Sequence, residues 1–145
     1  MQQITSEQHP GGCLCGAVHY VAQGEPHVAG YCYCVDCRKA SGSGFIPFLS
    51  YAAERVTITG PLRQIRSPSS RGTEAVRNRC ETCGSLVFGG EHGASEHHTI
   101  YAGSLDDPAH FRPTIALFTR DRPDWAPAIA GMIEFETMPG PTPVQ

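Results

Sequence analysis

Seven cysteines in three short clusters constrain this chain more than any other feature. They are Cys13-Leu14-Cys15, Cys32-Tyr33-Cys34-Val35-Asp36-Cys37 and Cys80-Glu81-Thr82-Cys83. On an extended strand the side chains at i and i+2 share a face, so a C-x-C pair offers two thiolates to one metal ion. A C-x-x-C pair does the same around a tight turn, and Gly84 after the second pair permits that turn. Gly16 closes the first pair in the same way. An odd number of cysteines and two C-x-C spacings argue against a disulfide framework. Met1 to Gly12 holds no apolar run of the signal-peptide kind, which predicts a cytoplasmic protein without a secretion signal.

Two pairs far apart in sequence, Cys13 with Cys15 and Cys80 with Cys83, can form a four-thiolate structural zinc site that joins two distant hairpins. That leaves Cys32, Cys34 and Cys37. Three protein ligands and an open position are the arithmetic of a functional zinc site. Water, a substrate or a histidine could fill the fourth position, and His92, His97 and His98 lie in a Gly-rich stretch that could reach it. Other groupings of the three clusters are open at this point. Asp36 is expected to cap a short helix from Cys37 to Ser41, ended by Gly42. A helix N-terminus favours a thiolate at Cys37, and Arg38 and Lys39 either add positive charge there or form a solvated face.

The chain has 145 residues, 40% hydrophobic and 17% charged, which predicts one folded domain. With 16 glycines and 12 prolines, long helices have little room, and short strands and turns should dominate. The net charge is −3 and Lys39 is the single lysine, so no nucleic-acid footprint is present. No apolar run reaches the roughly 18–20 residues of a membrane span. Val18 and Tyr20 alternate as on a strand, and Val28–Tyr31, Phe45–Tyr51, Thr99–Ala102 and Ile115–Phe118 read as further strands. Pro47 predicts an edge or a bulge. Val56–Thr59, the Gly60-Pro61 turn and Leu62–Arg66 read as a hairpin. Glu74–Arg79 and Ser85–Phe88 flank the C-x-x-C turn. Asp106 is expected as a cap, and Trp125 as a packing residue. The boundaries predicted are a loosely held segment 1–11, a single zinc-binding domain over 12–137 and a frayed Pro-rich tail, 138–145.

The order of Gly12-Cys13-Leu14-Cys15-Gly16, Cys32-Tyr33-Cys34-Val35-Asp36-Cys37-Arg38, Cys80-Glu81-Thr82-Cys83-Gly84, Ala102-Gly103-Ser104-Leu105-Asp106-Asp107 and Pro123-Asp124-Trp125 resembles the glutathione-dependent formaldehyde-activating enzyme family, which includes centromere protein V-like proteins. The resemblance implies a mostly β chain with the family's β-tent fold, short antiparallel strands around a zinc-ribbon-like site. It implies that Cys13, Cys15, Cys80 and Cys83 hold a structural zinc, and that Cys32, Cys34 and Cys37 hold a second, substrate-facing zinc that carries catalysis. It further implies a carbon–sulfur lyase acting on glutathione and formaldehyde through S-(hydroxymethyl)glutathione. Tyr33, Arg79 and Thr114 stand where the family commonly has histidine, an aromatic residue and histidine.

Three thiolate ligands make zinc electron-rich and a poor activator of water, better suited to holding a small thiol as its thiolate next to an aldehyde. Arg66, Arg71 or Arg77 could grip carboxylates on that thiol, and Asp36 and Tyr33 could handle protons. A non-catalytic zinc module or a thiol and redox sensor is the alternative reading, and the same cysteines could hold an iron–sulfur cluster.

Overall fold

In the computed structural model, residues 7–139 are described. Alternating burial creates the first layer. Val18, Tyr20 and Ala22 point to one side and are closed to solvent, while His19 and Gln23 face out. Strands β1 (Gln8–Gly12), β2 (His19–Gln23) and β5 (Val56–Thr59) form a three-stranded antiparallel sheet in the order β1-β2-β5. The second sheet has eight strands in the order β11-β10-β3-β4-β9-β8-β7-β6. These are β3 (Val28–Cys32), β4 (Ile46–Ala52), β6 (Leu62–Pro68), β7 (Glu74–Cys80), β8 (Leu86–Gly89), β9 (His97–Tyr101), β10 (Ile115–Leu117) and β11 (Ile133–Glu134). The main apolar cluster draws Tyr20, Val56 and Ile58 from the small sheet and Leu49, Phe88 and Ile100 from the large one. Burying both inner faces against each other is what holds the two layers together.

The mostly β architecture and most strand positions agree with the sequence reading. Several details differ. Residues 8–11, the end of the segment expected to be loosely held, join Gly12 in β1 along β2; residues 1–6 and 140–145 lie outside the described residues. The Gly60-Pro61 turn does not close a hairpin. β5 pairs with β2, and β6 crosses to the other sheet to pair with β7. Gly60 has φ +112°, and a Cβ there would run into the Ala17 carbonyl, so only glycine makes the crossing. Not every pairing is antiparallel: β10 runs parallel to both β3 and β11. Pro47 sits inside a central strand, where a missing N–H is normally disfavoured. It is tolerated because the β4–β9 ladder begins only at Phe48, one residue later.

The one α-helix among the described residues, α1 (Val35–Ser41), ends in the left-handed Gly42, as its sequence predicts. Its cap is not Asp36. The Cys34 sulfur accepts from the Cys37 N–H at 3.3 Å and takes that place. Likewise Asp107, rather than Asp106, caps the 3-10 turn Pro108–His110, accepting from the Ala109 N–H at 3.0 Å. Trp125 is 69% exposed and lies over Gly44 rather than in a core. No helix among the described residues is long and apolar enough to cross a membrane.

Candidate functional site

The loop after β1 and the turn between β7 and β8 meet where the two sheets join. The first carries Cys13 and Cys15, the second Cys80 and Cys83. One donor atom from each of the four lies within 4.8 Å of all the others. The Cys13 and Cys15 sulfurs are 3.7 Å apart, and those of Cys15 and Cys80 are 3.8 Å apart. With metal–sulfur bonds of about 2.3 Å, a tetrahedral centre has sulfur–sulfur edges of about 3.8 Å. The donor set therefore fits a zinc-type ion by chemistry and by spacing. Backbone N–H groups already point at these sulfurs, Val18 to Cys13 at 3.2 Å and Cys83 to Cys80 at 3.4 Å. Ser85 binds both halves: its hydroxyl accepts from the Leu14 N–H at 3.1 Å and lies 3.1 Å from the Cys83 sulfur. That hydroxyl, ahead of other causes, holds the Cys83 thiol below the ordinary range.

Cys32 ends β3, Cys34 caps α1 and Cys37 lies in its first turn. These three donors also fall within 4.8 Å of one another. Hydrogen bonds from the Cys32 and Cys37 thiols, and then from backbone N–H groups, hold Cys34 far below the usual thiol range, against the effect of burial. Cys32 is pushed the other way, because its neighbours favour its proton. Three sulfurs this close, pulling one another's proton affinities apart, form a donor set whose protons a metal ion can replace. All seven cysteines are free thiols, so no disulfide competes for them.

The three-cysteine group opens onto a cavity of about 570 Å³, within the roughly 300–1,000 Å³ of small-molecule sites. Ile46, Phe48, Leu117 and Phe118 supply apolar walls. Phe118 has φ +56°, the single non-glycine residue in the left-handed region among those described. Arg71 and Arg120 flank its ring, their guanidinium carbons 5.9 and 5.8 Å from its centroid. Asp36 faces the cavity too, and accepts from the Ser70 N–H and hydroxyl at 2.8 and 2.9 Å. It therefore pins the 69–72 loop at the rim.

The structure separates the three arginines. Arg66 is outside the cavity and saturated, with Glu74 and Glu91 each at 2.8 Å. Arg71 and Arg77 both line the cavity, and the buried Nε of Arg77 has no hydrogen-bond partner. Tyr33 is not at the cavity. It is buried beside Ala116 and Ala126, with Arg122 over its ring at 5.4 Å. Thr114 acts through its backbone, donating to the Ala29 carbonyl and accepting from Ile133, both at 2.9 Å. Arg79 donates to the Gly84 carbonyl at 2.9 Å and to the Ala40 carbonyl at 3.1 Å, and so ties the C-x-x-C turn to α1.

No histidine among the described residues joins the three cysteines. His92 and His97 are exposed, and His98 is buried against Phe88. Two features leave little trace in the sequence. Tyr101 lines the cavity near Arg77, and burial pushes its phenol well up, so it stays protonated. Its only sequence signal is a place two residues from Thr99, another lining residue, on one face of β9. The other is a meeting of His9, Glu25 and His110, whose donor atoms approach within 4.8 Å.

The family model of the glutathione-dependent formaldehyde-activating enzyme matches residues 8–121. No curated protein matches. Among solved structures, the chain is similar to a Rhodobacter sphaeroides protein determined by structural genomics, at 21% identity and a TM-score of 0.48, over 67% of this chain and 87% of the other.

Proposed function

The chain belongs to the glutathione-dependent formaldehyde-activating enzyme family, and from that premise we propose that it is a two-zinc carbon–sulfur lyase. It would make or break thiol–aldehyde adducts such as S-(hydroxymethyl)glutathione. Cys13, Cys15, Cys80 and Cys83 would hold the structural ion, and Cys32, Cys34 and Cys37 the reactive one. The observation that carries the reading is the three-cysteine group with one side open to a cavity that also presents Arg71, Arg77 and Tyr101.

Cys32, Cys34 and Cys37 would hold the reactive ion, which would supply the positive charge that favours an incoming thiol as its thiolate. The chain's own groups do the rest. Arg77, half-buried beside Cys37 and Tyr101, would offer positive charge to a substrate carboxylate, and Arg71 a second charge at the rim. Tyr101 keeps its proton and can donate a hydrogen bond to the carbonyl oxygen as negative charge builds there during C–S bond formation. In the reverse direction the same phenol oxygen can accept from the adduct hydroxyl. Phe48, Leu117 and Phe118 exclude water from the reacting thiol.

The test is turnover of thiol–aldehyde pairs beside metal content per chain. Cys34→Ser should lower turnover at least 100-fold and release one zinc while the other stays. Unchanged turnover of every pair by that variant would overturn the proposal.

A further inference from the structure

We propose a third metal centre, formed by His9, Glu25 and His110, for a divalent ion of the zinc, cobalt or nickel kind. The three residues come from β1, from the turn between β2 and β3, and from the end of the 3-10 turn Pro108–His110. One donor atom from each lies within 4.8 Å of the other two. The centre is separate from both cysteine groups. Its supporting residue Tyr51 stands five residues along β4 from Ile46, the partner of Cys32, which is roughly 17 Å at the rise of a strand.

Two independent observations point to a ligand. The first is an unpartnered donor atom. His9 is 8% exposed, and its Nε2 has no hydrogen-bond partner. The nearest carboxylate oxygen, on Glu7, is 3.7 Å away, beyond hydrogen-bond range. A buried ring nitrogen left unpaired is costly, and a metal–nitrogen bond would remove that cost. The rings of His9 and His110 are stacked at 3.3 Å between centroids, 7° from parallel, so one of them has to turn out of the stack for both to aim a lone pair at one ion.

The second observation is the tautomer of His110. The Tyr51 hydroxyl has one proton, which goes to the Gly24 carbonyl at 2.9 Å. The same oxygen lies 2.6 Å from His110 Nε2 and can only accept there. His110 therefore carries its proton on Nε2, and Nδ1 is left with a free lone pair. A hydrogen bond behind a histidine that fixes its ring and tautomer is the usual support of a metal ligand. Glu25 is held by its neighbours: the Gly24 N–H donates to the Glu7 carbonyl at 2.8 Å, its carbonyl accepts from Tyr51, and Pro26 follows. Two imidazoles and one carboxylate favour borderline divalent transition ions over magnesium or calcium. Glu25 is exposed, so the ion can enter from solvent and keep water in its open positions.

The test adds cobalt(II) to the purified protein with its cysteine-bound metal in place. The expected result is one further cobalt per chain, with visible d–d bands and no thiolate-to-cobalt charge-transfer band. Glu25→Gln should weaken that binding at least tenfold. His110→Ala should abolish it and leave the cysteine-bound metal unchanged. Glu25 is exposed and His110 half-buried, and circular dichroism verifies that both variants fold. The proposal fails if no further cobalt binds, if both variants bind it as the parent does, or if the added cobalt shows the thiolate band.

Discussion

At the scale of single residues, the chemistry rests on where a few side chains leave polar atoms free. Arg66 and Arg77 both lie on the β6–β7 hairpin, yet Arg66 is spent on two carboxylates while Arg77 keeps a buried Nε without a partner. Arg77→Gln should raise the KM for an anionic thiol such as glutathione by about tenfold, with kcat reduced less. A neutral thiol such as 2-mercaptoethanol should be nearly indifferent, because a charge-assisted bond contributes about 1.5–3 kcal/mol only where there is a charge to meet. Steady-state kinetics with the two thiols checks this. The cysteine clusters are legible in the sequence because ligand spacing is local, i to i+2 or i+3. The choice among the arginines is not, since it depends on carboxylates 8 residues away or more. His9, Glu25 and His110 carry no signal at all: three segments distant in the chain bring them together. From spacing alone Cys34 is a ligand and nothing more, although its sulfur also caps α1. Aspartate is ordinarily the stronger cap, but Asp36 is drawn to Ser70 instead.

At the scale of elements, one buried amide holds an irregular join. Asn78 is fully buried on β7, next to the register shift between β7 and β8. Its Nδ2 donates to the carbonyls of Phe88 at 3.2 Å and Gly90 at 2.7 Å. Asn78→Ala should cost about 1–3 kcal/mol, read as a lower midpoint in urea, because a buried and a part-buried carbonyl lose their donor. Gly60→Ala should be at least as damaging, since it adds strain at φ +112° to a collision with the Ala17 carbonyl. The strands themselves are visible through period-2 burial, as at Val18 and Tyr20. Their partners are not. A Gly-Pro turn reads as a hairpin from local sequence, and only the packing of two sheets sends β6 across to β7. The parallel β10 is of the same kind, because its neighbour β3 lies more than eighty residues earlier.

At the scale of the whole molecule, two features couple solution conditions to stability. Burial, reinforced by His92, holds the pKa of His98 below its ordinary value of about 6.5. The unfolded chain therefore takes up a proton at His98 more readily than the folded one. The resulting stability is complete above about pH 6.5 and falls as the pH drops below it toward the folded pKa. His98→Gln should flatten the fall in Tm between pH 7 and 5 relative to the parent, in matched thermal scans. The second feature is the four-cysteine group. If it holds zinc as proposed, a strong chelator should remove that ion only together with near-UV circular dichroism, whereas a mild one should take the ion at Cys32, Cys34 and Cys37 and leave the fold.

The same group has a consequence in time. Cys15 and Cys80 are 65 residues apart in the chain. During synthesis at about 5–20 residues per second, roughly 3–13 s pass between the two becoming available. For that interval Cys13 and Cys15 have neither their partner thiols nor β7 beside them. β1 and β2 can pair early, but the clasp that fixes them to the large sheet waits for the C-x-x-C turn. An oxidant or a soft metal ion that reaches the nascent chain in those seconds meets an open pair of thiols, and the yield of folded protein then depends on how soon Cys80 and Cys83 arrive.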